Sequence, residues 1–117
     1  MSSTIQSVKK ARISYFVPDA VLNDIKEKMI SQGYDLKGKS KWISEAVQDL
    51  LEITNYTELV NISDQMQGFQ KLDSVSVDSD LKQKLEEAII EVRMKFPTIE
   101  GVQSKIIRTA IVQRLLR

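Results

Sequence analysis

The chain has 117 residues, a net charge of +1, and neither cysteine nor histidine. A chain of this length forms one small domain, and the two missing residue types exclude disulfides, thiolate metal sites and the most common general base. Because no glycine-rich phosphate loop and no nucleophile–base arrangement is recognisable, we expect no enzymatic activity and no cofactor. No apolar stretch approaches the roughly 20 residues that cross a bilayer, so we expect a cytoplasmic protein.

Charge is distributed unevenly along the chain. Residues 1–47 carry eight Lys/Arg against five Asp/Glu, and residues 101–117 carry four basic residues and no acidic one. The intervening segment 48–100 carries five basic and eleven acidic residues. This distribution predicts one basic and one acidic face, although ordinary solvated helix surfaces explain it equally well.

A short strand opens the patterned part of the chain, after a predicted disordered tail at residues 1–8. The run 12–17, "RISYFV", is too short and too rich in β-branched and aromatic residues for a helix. Pro18 and Asp19 then open an amphipathic helix, for which Gly33 is the expected stop signal. A lone strand would leave its backbone groups unpaired, so a second strand is required.

A second helix follows a basic turn. The segment "SKWISEAVQDLLE" has apolar residues at helical spacing and Ser40 as its expected N-cap. The tract 53–69 has only a weak pattern. We predict a linker there, in which a helical turn begins between Thr57 and Val60.

The same order of elements returns about 60 residues later. "LDSVSVDSDLKQKL" aligns with "RISYFVPDAVLNDI", and "SKIIRTAIVQRLL" aligns with "SKWISEAVQDLL". This internal repeat predicts two strand–helix–helix units, 9–52 and 70–117, that share one core. Strand 12–17 then pairs antiparallel with strand 72–77. The predicted fold class is α+β, mostly α, with a two-stranded antiparallel ribbon over four helices.

A short strand followed by a helix, a basic turn and a second helix that begins at a serine resembles the ribbon-helix-helix (Arc/MetJ/CopG-like) family of DNA-binding proteins. Two such units in one chain resemble the tandem, TraY-like members of that family. The resemblance implies an intramolecular pseudo-dimer, complete as a monomer, whose ribbon enters the major groove of double-stranded DNA. It implies a transcriptional repressor or an accessory protein of plasmid transfer or maintenance.

The resemblance, together with the alternation of a strand, assigns a direction to each ribbon side chain. The residues expected to face the core are Ile13, Tyr15, Val17, Val75 and Val77. The residues expected to face outward and read bases are Arg12, Ser14, Phe16, Ser74 and Ser76. Arg12 suits guanine, Ser14 suits either kind of base, and Phe16 suits a thymine methyl group.

The second strand departs from the pattern of the family. Asp73 stands where an apolar core residue is expected, and Leu72 replaces an outward basic residue. These departures predict either weaker base reading by the second strand or a shifted strand register.

The resemblance also implies that the starts of the two second helices bind DNA phosphates. The expected phosphate-binding residues are Lys10, Lys39, Ser40, Lys41, Ser104 and Lys105. Ordinary N-caps with solubilising lysines nearby are the alternative at both helix starts.

Two other interpretations stay open. Linker 53–69 would cover the ribbon in one of them. In the other, the chain is a helical protein–protein adapter or antitoxin-like module that acts through its acidic face. Members of the family combine DNA binding with recruitment of a relaxase, toxin or polymerase, so a protein partner is compatible with both functions.

Overall fold

A computed structural model of the protein describes residues 9–35, 37–63, 66 and 68–117. In chain order the elements are β1 (Lys10–Pro18), α1 (Asp19–Ser31), α2 (Lys39–Leu51), α3 (Tyr56–Ile62), β2 (Gln70–Asp78), α4 (Ser79–Lys95) and α5 (Val102–Leu115). The predicted α+β class with mostly helical content is confirmed. The tail predicted at 1–8 lies outside the described residues. Among the helices in the described part, none combines the length and the apolarity that crossing a membrane requires.

The two strands form one antiparallel ribbon. Lys10 lies opposite Asp78 at one end, and Pro18 lies opposite Gln70 at the other. Ser14 and Ser74 face each other at the centre of the register. Because these two serines are 60 residues apart, the register has the same offset as the sequence repeat. The predicted antiparallel pairing of the two strands is confirmed, and Asp73 does not shift its register.

The inner face of the ribbon forms one side of the core. The five side chains predicted to face inward are all buried: Ile13, Tyr15, Val17, Val75 and Val77. Helices α2 and α5 pack against each other beneath them and contribute the largest apolar stripes. Each fully buried aliphatic or aromatic side chain stabilises the fold by about 1.5–3 kcal/mol relative to an exposed one.

The helix ends differ in part from the prediction. Helix α1 stops where expected, because Gly33 follows it with a φ of 86°, a conformation that favours glycine. The prediction of serine N-caps at α2 and α5 was wrong. The residues that precede these helices are Gly38 and Gly101, while Ser40 and Ser104 lie inside the first turn. The serine hydroxyl groups bond to the ribbon instead of capping their own helices.

The linker carries a helix of its own. Helix α3 starts just before the turn predicted between Thr57 and Val60, and both of these residues are buried. It packs against α4 and α5. Lys95 Nζ lies 3.3 Å from Thr57 Oγ1, and the hydroxyl groups of Ser63 and Thr109 are 2.8 Å apart. Helix α3 and Ser63 are therefore part of the packed structure, on the side of α4 and α5.

Candidate nucleic-acid interface

The outer face of the ribbon carries a row of cross-strand pairs. The row begins with charged side chains at one end, passes through hydroxyl groups at the centre, and becomes apolar toward the other end. In order, the pairs are Lys10–Asp78, Arg12–Ser76, Ser14–Ser74 and Phe16–Leu72. All five side chains predicted to read bases lie in this row.

The basic residues of the row differ in their partners. Arg12 donates a hydrogen bond to Ser76 Oγ at 3.3 Å, which is a neutral acceptor. Lys10 forms an ion pair with Asp78 at 2.8 Å, in which both side chains are about half exposed or more. An exposed pair of this kind is worth only about 0.2–1 kcal/mol, so Asp78 holds Lys10 only weakly.

Serine hydroxyl groups from the two second helices fix the edges of the ribbon. The backbone N–H of Ser76 donates to Ser40 Oγ at 3.1 Å, and the backbone N–H of Phe16 donates to Ser104 Oγ at 3.0 Å. Ser76 and Phe16 are 60 residues apart, so the two contacts occupy equivalent places in the repeat. Each second helix therefore holds the strand of the other unit. The contacts also satisfy edge N–H groups that would otherwise be open to pairing with another strand.

Two residues of α5 add contacts that the sequence did not predict. Gln103 donates to the backbone oxygen of Ser14 at 2.7 Å. Arg108 donates to the backbone oxygen of Phe16 at 2.9 Å. In the repeat alignment, neither residue is aligned with a similar residue of the first unit, so the repeat did not predict these contacts. Together they hold the central and apolar parts of β1 against α5.

Asp73 is accommodated by a polar cluster under the ribbon. Tyr15 donates to Asp73 Oδ2 at 2.6 Å, and Lys39 Nζ lies 2.9 and 3.0 Å from the two carboxylate oxygens. Burial acts to raise the pKa of Asp73, but the hydrogen bonds from Tyr15 and Lys39 outweigh it and hold this pKa below its usual value. Burial, together with the hydrogen bond to Asp73, raises the pKa of Tyr15. Lys39, predicted to bind phosphate, thus neutralises an internal carboxylate.

A different groove lies on each side of the ribbon. Beside the start of α2, an open groove of about 640 Å³ runs between α2 and α4 at the charged end of the ribbon. Its basic lining residues are Lys10, Lys37, Lys41 and Lys84, and its acidic ones are Glu45, Asp78 and Asp80. On the other side, beside α5, a smaller groove of about 270 Å³ is lined by Phe16, Met66, Gln70 and Arg108. Met66 belongs to the linker and lines this second groove, and the described part of the chain leaves Phe16 and Leu72 about half exposed.

The lysines that follow the two serines have different surroundings. Lys41 is exposed, and its ammonium group lies 5.9 Å from the centre of the Tyr34 ring. Lys105 is only partly exposed, and it donates to the backbone oxygen of Asn61 in α3 at 3.2 Å. Helix α3 therefore engages Lys105, one of the four lysines predicted to bind phosphate.

Arg114 fixes the start of α2 from the far end of α5. Its guanidinium group lies 4.7 Å from the Trp42 ring centre and 5.3 Å from that of Tyr34. It also donates to the backbone oxygen of Trp42 at 2.8 Å and to Glu45 at 3.1 Å. A hydrogen bond from Tyr34, opposed by burial and supported by Arg114, holds the pKa of Glu45 below its usual value. This network sets the position of the turn that carries Lys37.

The arrangement offers an exposed two-stranded ribbon with donors, acceptors and apolar groups in one line. The major groove of B-DNA is about 12 Å wide and accepts a ribbon of this kind. Comparison with protein-family models, with curated proteins and with solved structures finds no match to this chain.

Proposed function

We propose that this chain binds double-stranded DNA sequence-specifically, as a ribbon-helix-helix pseudo-dimer formed within one chain. In this proposal it acts as a transcriptional repressor or as an accessory protein of plasmid transfer or maintenance. The observation that carries the proposal is the exposed outer row of the ribbon. A buried role would require that row to be apolar and covered, whereas its centre and one end consist of Arg12, Ser14, Ser74 and Ser76.

The donors and acceptors of each outward side chain decide which base it is proposed to read. Arg12 has enough donors to contact O6 and N7 of a guanine while keeping its bond to Ser76. Ser14 and Ser74 at the centre both donate and accept, so they tolerate several bases. The side chains differ between the two strands, so the preferred site lacks strict two-fold symmetry.

Phosphate binding is assigned mainly to the open groove beside α2. The first N–H groups of this helix have no partner within the helix, and its dipole favours an anion. Lys41 and Lys37 are exposed beside that helix start. Lys10 lines the same groove and is a further phosphate contact, opposed by the negative charge of the neighbouring Asp78. At the start of α5 the partners of Ser104 and Lys105 within the protein leave a weaker anchor.

The test is selection of sites from a random duplex pool, followed by competition binding against unselected duplex. We expect Arg12→Ala to weaken the selected site by about 1–3 kcal/mol and to relax preference at one base pair. Arg93→Ala is the matched control, because Arg93 is exposed on α4, away from the ribbon. Failure to retain any duplex at low salt would refute the proposal.

A protein adapter is a second candidate, favoured by one observation on α4. Ile90 and Met94 are four residues apart on this helix and are 60% and 78% exposed. An apolar pair at this spacing suits the groove of a protein partner. An adapter without DNA binding would show no salt-dependent retention on duplex DNA, while Ile90→Ser would release its partner.

A further inference from the structure

The apolar end of the outer row is only partly buried by the fold. Phe16 and Leu72 face each other across the ribbon and are 49% and 58% exposed. Scattered exposed apolar residues are common and need no explanation. Here two large ones are direct cross-strand neighbours, with β-carbons about 5 Å apart, and so form one continuous patch.

We propose that Phe16 and Leu72 together read the methyl groups of thymines, so that the ribbon binds its site in one fixed orientation. This inference rests on the proposed function and adds the base composition of one half of the site. It assigns a role to Leu72, which the resemblance alone describes only as a replacement for an outward basic residue.

The chemistry of base edges supports this assignment. The thymine C5-methyl group is the apolar feature of the four unmodified bases in the major groove. An apolar pair pressed on a G·C pair would instead strip water from the guanine acceptors and the cytosine amino group without replacing the lost hydrogen bonds. The Phe16–Leu72 patch therefore favours A·T pairs and penalises G·C pairs.

The opposite half of the row has the opposite preference. Arg12 and Ser76 supply hydrogen bonds that suit a G·C pair. Along β1, Arg12 and Phe16 are four residues apart, which is about 13 Å, or about four base pairs, at 3.4 Å per step. The expected site thus has guanine on one side of its centre and thymines on the other.

Deoxyuridine provides the direct test, because it lacks only the methyl group of thymidine. In the selected site, each thymine of the half opposite the guanine is replaced by deoxyuridine in turn. For the wild-type chain we expect at least one replacement to weaken binding about fourfold, the value of one buried methyl group. Replacements outside this half serve as the DNA control and should change binding by less than twofold.

Leu72→Ser and Phe16→Ser complete the test. Both side chains point outward and are about half exposed, so each substitution should lower the thermal midpoint by only about 4–8 °C, and a cooperative transition within that range verifies folding. Each variant should bind the thymine and deoxyuridine sites with similar affinity. The inference is overturned if the selected half contains G·C pairs, if no deoxyuridine replacement matters, or if both variants keep the wild-type preference.

The same experiment separates the two proposals. Sequence-specific binding without sensitivity to the methyl group would overturn the role of the Phe16–Leu72 patch and leave DNA binding in place. A chain that selects no duplex at all would overturn both. If the patch is instead covered by a protein partner, both serine variants will leave DNA affinity and base preference unchanged.

Discussion

Lys41 and Lys105 are equivalent in the repeat, but we expect their removal to have different effects on DNA binding. Each follows the serine that holds the ribbon edge. Lys41 is exposed beside the open groove, whereas Lys105 donates to the backbone oxygen of Asn61 in α3. The sequence alone predicts equal losses for both substitutions. The structure predicts that only Lys41→Ala removes a phosphate contact.

The magnitude follows from counterion release. Each phosphate contact contributes about 0.9 to the slope of log affinity against log salt. Lys41→Ala should therefore make that slope shallower by about 0.9, which is roughly a 3.5-fold smaller loss of affinity between 50 and 200 mM salt. Lys105→Ala should leave the slope unchanged and cost only about 0.5–1 kcal/mol of folding stability, from one lost hydrogen bond.

The assay is a salt titration of binding to a labelled duplex, measured by fluorescence anisotropy for the wild type and both variants. Binding to random duplex should change in parallel with binding to the preferred site, because phosphate contacts do not depend on sequence. Urea denaturation of the same preparations gives the stability change separately.

Two results would refute the reasoning. Equal reductions of the slope in both variants would mean that α3 does not hold Lys105 away from the DNA. An unchanged slope in Lys41→Ala would mean that the groove beside α2 does not contact the phosphate backbone of the DNA.

Three further predictions concern the chain itself. Arg114→Ala should lower the free energy of unfolding, measured by urea denaturation, by about 2–4 kcal/mol. The substitution removes two ring contacts and the hydrogen bonds to Trp42 and Glu45. The control Arg93→Ala should lie within about 0.5 kcal/mol of wild type. Asp73 has a folded-state pKa below its usual value, so its ionised form contributes stability that is present above about pH 4 and is lost as the pH falls. The stability difference between wild type and Asp73→Asn should therefore shrink in denaturation curves taken from pH 6 to pH 3, and a constant difference would contradict the assignment. Because both strands of the ribbon come from one chain, the thermal midpoint should not change over a hundredfold dilution, and a steep dependence would indicate an obligate dimer.

The sequence predicted the ribbon because two independent patterns agree there. Alternation within 12–17 and 72–77 separates an inner from an outer face, and the offset of 60 residues fixes which strands correspond. The same offset places the serines at the centre of the register. Burial of the inward residues then follows from the pattern, because a one-residue slip would turn Tyr15 and Val75 outward.

The contacts at the ribbon edge could not be predicted from the sequence. Serine at a helix start is commonly an N-cap, and local statistics favour that role for Ser40 and Ser104. Their actual partners are backbone N–H groups 36 and 88 residues away in the chain. Helix α3 was only partly predictable for a similar reason. Its two buried residues, Thr57 and Val60, form too short a stripe to define a helix face.

In the proposed tandem arrangement, the two halves of one chain are free to differ, and here they differ at three levels. In the core, the apolar pair Ile13–Val75 on one side of the ribbon centre corresponds to the polar pair Tyr15–Asp73 on the other. On the outer face, a hydrogen-bonding end is opposed to an apolar end. Around the ribbon, the groove beside α2 has a volume of about 640 Å³ and a charged lining, whereas the groove beside α5 has a volume of about 270 Å³ and is lined in part by the linker residue Met66. A homodimer built from one such unit would have identical halves and would bind equally in either direction. Under the proposed function, the unequal halves of this ribbon favour a single direction on an asymmetric DNA site.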